Sequence, residues 1–141
     1  MCKRKQFSIF VILVAVVITG CLARPLSKPD AKTSSQEDSH LFGDWTGESV
    51  CTAKEPSCRD EKVIYHISKG SDPTIVNVNA DRIVDGKAVN MGTLEFKYDK
   101  AAGKLVNSEH GSWDLKFKER KIEGTLTLAN GTLFRRVTLR P

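Results

Sequence analysis

The chain has 141 residues, 40% of them apolar and 28% charged, and a formal charge of +5. That length holds one ordinary domain and excludes a TIM barrel, a full dinucleotide-binding enzyme and most two-domain machines. The composition excludes wholesale disorder. The charge is no signature of nucleic-acid binding: Lys3, Arg4 and Lys5 stand in a first stretch of 20 residues that has no acid, and the remainder carries only +2.

Met1–Gln6 is short and basic, and Phe7–Ile18 is almost unbroken apolar sequence ending in Thr19-Gly20-Cys21. A charged start, an apolar stretch and a small-residue exit describe a secretory signal. The run falls short of the ~20 residues that span a bilayer comfortably. Ile18-Thr19-Gly20-Cys21 resembles the lipobox of bacterial lipoproteins. The resemblance implies that residues 1–20 are a signal peptide and that Cys21 becomes the mature N-terminus and carries lipid, with palmitate among its chains. Each buried acyl CH₂ contributes about 0.8 kcal/mol, so two or three chains make a lasting membrane anchor. Leu22 stands where Asp would signal retention at the inner membrane, which implies the outer membrane, facing the periplasm. The alternatives are an ordinary cleaved signal and an uncleaved anchor extended by Leu22 and Ala23.

Residues 21–40 comprise Cys21 and a segment rich in Ser, Pro and charge, with Leu26 its one large aliphatic residue past Leu22. Such a segment buries too little surface to offset its ordering entropy. It is expected to be a flexible tether. Its Gln36-Glu37-Asp38 patch reads as solvated charge.

From residue 41 to 141 the apolar period becomes two. Trp113, Leu115 and Phe117 alternate with charged residues, as do Leu94, Phe96 and Tyr98. This predicts strands with one buried and one wet face. Asp85-Gly86, Ala102-Gly103, His110-Gly111 and Asn130-Gly131 punctuate them as turns. Eight strands are predicted: Trp45–Cys51, Lys62–Ser68, Ile75–Ile83, Ala88–Tyr98, Lys104–Ser108, Ser112–Lys118, Lys121–Leu128 and Thr132–Leu139. In the fourth, Val89 and Met91 have one parity and Leu94, Phe96 and Tyr98 the other, so a bulge is expected near Gly92-Thr93. Closure hides strand edges, so the expected fold is all-β, a small antiparallel up-and-down barrel of about eight strands. A two-sheet β-sandwich is the alternative.

Gly43-Asp44-Trp45, at the start of the first strand, resembles the Gly-x-Trp motif of lipocalins and their calycin relatives. The resemblance implies that Trp45 plugs the closed end of the barrel beneath an Arg from the last strand. Arg135 shares parity with Leu133, Val137 and Leu139 and is the expected partner. It also implies that inward aromatic residues, Tyr65, Phe96, Tyr98, Trp113 and Phe117, line a ligand site or fill the core. Small secreted bacterial protease inhibitors, which pair a lipoprotein signal with an early Gly-x-Trp barrel and one disulfide, are a second resemblance.

Cys51 and Cys58 are the thiols left once Cys2 is removed and Cys21 is lipidated. In an exported chain such a close pair reads as a disulfide pinning a loop at the barrel mouth. The spacing is not Cys-x-x-Cys, and no metal is expected. Arg59-Asp60-Glu61 follows as a candidate rim contact for a partner. His40, His66 and His110 have no ligand spacing, and His66, opposite in parity to Tyr65, should face solvent. Ser108-Glu109-His110 reads as turn polarity rather than a catalytic group. No catalytic residue and no cofactor are expected. Lys116, Lys118, Arg120 and Lys121 are diluted by Asp114, Glu119 and Glu123, which argues against nucleic acid as a partner. The expectation is a monomeric, non-enzymatic envelope protein, held to the membrane through Cys21, whose barrel binds a small apolar ligand or an envelope component. A structural or interaction lipoprotein with a filled barrel and a protease inhibitor are the alternatives.

Overall fold

The computed structural model describes residues 40–141. The signal peptide expected over 1–20, Cys21 and the expected tether up to residue 39 lie outside the described residues.

Eight antiparallel strands follow one another around a closed barrel: β1 Gly43–Cys51, β2 Glu61–Lys69, β3 Ile75–Val84, β4 Lys87–Asp99, β5 Lys104–Asn107, β6 Ser112–Lys118, β7 Lys121–Thr127 and β8 Leu133–Arg140. Each agrees with its predicted strand to within a residue or two. A single sheet closes on itself through β1 and β8, from Thr46 opposite Arg140 to Cys51 opposite Arg135, so the sandwich alternative does not apply.

Alternation sets the inner face. Val63, Tyr65 and Ile67 of β2 are buried, as are Leu115 and Phe117 of β6, while Asp114, Lys116 and Lys118 are exposed. Closure also brings backbones together at inward glycines. A Cβ on Gly47 would meet the Thr138 carbonyl oxygen of β8, and one on Gly124 the Asp114 carbonyl oxygen of β6. At these two positions a side chain would force neighbouring strands apart.

Two irregularities re-aim side chains. Ala80 pairs with Gly92 and Asp81 with Asn90, so Met91 is the extra residue of β4, one position from the expected bulge. Leu126 pairs with Arg135 and Thr127 with Leu133, so Phe134 is extra in β8. A bulged strand bends and its side-chain alternation is interrupted. Arg135 therefore lies opposite Leu126 inside the barrel, whereas Leu133 lies opposite Thr127.

The barrel end at which β1 begins is packed solid. Leu41, Trp45, Leu105, Leu115, Ile122 and Leu139 are essentially inaccessible to solvent. The Trp45 indole N–H donates to the Leu41 carbonyl at 2.8 Å, and the ring meets Phe117 edge-on at 5.7 Å. The expected stack of Arg135 on Trp45 does not form. Because β8 runs antiparallel to β1, Arg135 lies opposite Cys51, six residues along β1 from Trp45. At ~3.3 Å per residue that is about 20 Å. The start of the last strand belongs to the opposite end of the barrel from the start of the first.

Candidate functional site: an interior cavity

The end where β1 finishes is not filled. A cavity of about 340 Å³ opens there, with Tyr65, Phe96, Trp113, Leu126, Met91 and Leu94 among its walls. The sequence of β5 explains why. β4 is 13 residues long and β5 only 4. The β4–β5 ladder covers only Lys97–Asp99, whereas β4 pairs with β3 from Lys87 onward. Residues 87–96 thus have no ladder partner on the β5 side. One side-chain clasp spans that flank, from the Asn107 amide to the Glu95 carbonyl at 2.8 Å. Gly92, Thr93, Leu94, His110 and Trp113 stand beside this opening and also line the cavity. Trp113 is half-buried, its ring edge-on to Phe96 at 6.4 Å, and it also borders a second hollow with Glu95, Asn107 and Ser112.

Of the five aromatic residues expected to line a ligand site or the core, three reach this cavity: Tyr65, Phe96 and Trp113. Tyr98 and Phe117 belong to the hydrophobic core and do not line it. Arg135 is a cavity residue rather than the partner of Trp45. Its Nη1 donates to the Arg59 carbonyl at 3.0 Å and to the Ser49 carbonyl and hydroxyl at 3.3 Å each, and it forms an ion pair with Glu61 at 3.1 Å. These partners offset the cost of placing a guanidinium inside a barrel. Arg135 also lies over the ring of its neighbour Phe134, at 5.4 Å.

The three expected rim residues divide by role. The Arg59 side chain is exposed while its carbonyl holds Arg135. The Asp60 carboxylate accepts the Cys51 N–H at 2.8 Å and so closes the loop on β1. Glu61 turns inward to line the cavity, pairing with Arg135 and reaching Arg82 at 3.5 Å. Cys51 and Cys58 are disulfide-bonded, with Cα atoms 5.8 Å apart, and this clip sits beside the carbonyl that holds Arg135.

Tyr65 is 5% exposed; its hydroxyl has no protein hydrogen-bond partner among the described residues, and since no buried side-chain polar atom there is left unpaired, it is accessible from the cavity. Burial pushes its pKa up to about 12, Arg135 pulling it down and Glu61 adding to the rise. The phenol is therefore neutral and a competent donor throughout the physiological range.

Outside the barrel, His66 bridges two carboxylates, Nδ1 to Asp44 at 2.6 Å and Nε2 to Asp81 at 3.2 Å. Asp81 also accepts from the Asn90 amide at 2.7 Å, next to the Met91 bulge. Hydrogen bonds to the carboxylates of Asp44 and then Asp81 raise the His66 pKa, and those that Asp81 accepts from Asn90 and then His66 lower its own. Among the described residues no group of three or more His, Cys, Asp or Glu side chains is arranged to hold a metal.

Sequence reasoning missed Ser49, Val78, Ala80, Gly92 and Thr93 as cavity residues. It could have found Ser49 and Ala80 as small inward positions in otherwise large-residue alternations. No protein-family model matches the chain, and no curated protein matches its sequence.

Proposed function

We propose that the protein is a lipid-anchored, non-enzymatic binding protein of the bacterial envelope, whose barrel takes up a small, mainly apolar ligand. The observation that carries this reading is the cavity of about 340 Å³ at the end of the barrel where β1 finishes. It falls at the lower end of the ~300–1,000 Å³ range of small-molecule sites, and its wall has the usual mixture of apolar surface and a few convergent polar groups. The missing β5 pairing supplies a side entrance. The lipobox-like Ile18-Thr19-Gly20-Cys21 supports the membrane anchor, and Leu22 supports the outer membrane, facing the periplasm.

Native mass spectrometry of protein extracted from its own envelope, with lipid analysis of what co-purifies, tests the binding. The expected result is a stoichiometric apolar adduct that Leu94→Trp, which narrows the cavity from β4, abolishes. A chain that carries nothing and takes up no apolar probe would leave an interaction lipoprotein as the better reading. Labelled palmitate should enter the wild type and not Cys21→Ser; equal labelling would remove the anchor.

A further inference from the structure

The cavity is not uniformly greasy, and its polar groups are arranged unevenly. Its carboxylate and its guanidinium, Glu61 and Arg135, lie 3.1 Å apart and neutralise each other. Arg135 is further occupied by two carbonyls and a hydroxyl. A ligand carboxylate would have to shed its water and compete with Glu61 for a cation already engaged, and a ligand ammonium would face Arg135. Neither charge is welcome. The Tyr65 hydroxyl is the contrasting group: its residue is nine-tenths buried and lines the same cavity, but the hydroxyl itself has no protein partner among the described residues and is open to the cavity. It is a donor that no protein acceptor competes for, and a ligand acceptor in the cavity can take it in place of water. Around it Val78, Leu94, Phe96, Trp113 and Leu126 offer apolar wall.

Building on the carrier reading, we infer that the ligand is an uncharged amphiphile whose carbonyl or ether oxygen accepts a hydrogen bond from Tyr65 and whose apolar part lies against Phe96, Trp113 and Leu126. The size is bounded as well. At ~30 Å³ for each water-sized group, 340 Å³ holds on the order of ten non-hydrogen atoms, so the occupant is a short-chain ester, amide or ketone, or one short arm of a larger lipid.

Three probes of similar size separate the terms: methyl heptanoate (a neutral acceptor), octanoate (an anion at pH 8) and butylbenzene (apolar throughout). Each is titrated calorimetrically into full-length protein held in amphipol, wild type and Tyr65→Phe, a change that keeps the ring and its packing. The ester should bind the wild type more tightly than octanoate does, and Tyr65→Phe should weaken the ester about three- to tenfold, the range of one net hydrogen bond. Butylbenzene should bind both forms equally or prefer the variant. If octanoate binds more tightly than the ester, the site is an anion site. If Tyr65→Phe changes the ester and butylbenzene alike, or neither, solvent serves the hydroxyl. Either result overturns the head-group assignment and leaves an apolar carrier standing, because butylbenzene still binds. Failure of all three probes overturns the assignment and the carrier reading together.

Discussion

Arg135 and Glu61 meet inside the barrel, Nη1 to Oε2 at 3.1 Å, and join the first residue of β2 to the bulged start of β8 across the end of β1. Their side chains are 14% and 20% exposed, so both rely on protein partners for much of their solvation, Arg135 on Glu61, Ser49 and Arg59, and Glu61 on Arg135 and Arg82. Arg135→Ala should destabilise the fold by about 1–3 kcal/mol, because it leaves Glu61 only the longer contact with Arg82 and removes a donor to two carbonyls. Replacing both partners, Arg135→Leu with Glu61→Leu, should recover most of that loss, since apolar groups leave no unpaired charge. Urea denaturation of the three forms measures both effects. Arg136, exposed on the outer face, should tolerate Ala within about 0.5 kcal/mol.

The His66 bridge makes stability depend on pH in a defined direction. Its folded pKa is raised, so its contribution is complete below the unfolded value of about 6.5 and is lost as pH rises through the folded value. Asp81, whose folded pKa is lowered, contributes above about pH 4 and loses that contribution on acidification. The bridge therefore stabilises most between these limits. Urea midpoints should fall from pH 6 to pH 8.5 in the wild type and much less in His66→Asn. Equal slopes would show that the two carboxylates do not hold the imidazolium.

The turn between β6 and β7 carries strain that can be relieved. Glu119 and Arg120 have φ of 52° and 56°, the left-handed region that L side chains resist. Between antiparallel strands such a two-residue turn favours Asn-Gly. Glu119→Asn with Arg120→Gly should stabilise the barrel by about 1 kcal/mol, read as an upward shift in the thermal midpoint. Asp85-Gly86, with φ of 50° and 77°, makes the equivalent turn between β3 and β4 with well-suited residues, so Gly86→Ala should destabilise.

Cys51→Ala with Cys58→Ala should cost about 2–3 kcal/mol, the chain-entropy value for so short a loop. The cavity should suffer as well, because the Arg59 carbonyl that holds Arg135 follows Cys58 directly. Probe affinity should therefore fall in the reduced wild type while the barrel stays folded, which near-ultraviolet circular dichroism of Trp45 can follow.

Strand number, strand bounds and the inward face were legible in the sequence because they are local: side-chain direction repeats every two residues and turn residues mark the ends. The Met91 bulge was legible for the same reason, as a slip in parity between Met91 and Leu94. The inward direction of Arg135 also followed from parity. What it touches did not. Antiparallel closure of β8 on β1 set Arg135 against Cys51 and Glu61 and placed Trp45 beyond reach. Parity assigns a side chain to a face; only ladder direction and register assign it to an end of the barrel. The cavity belongs to tertiary structure for a related reason. Tyr65 and Tyr98 are equally inward in sequence, yet one lines a cavity and the other does not, because β5 ends too soon to pair with β4 above Lys97. The void is set by the mismatch in length between two strands, a property of neither strand alone.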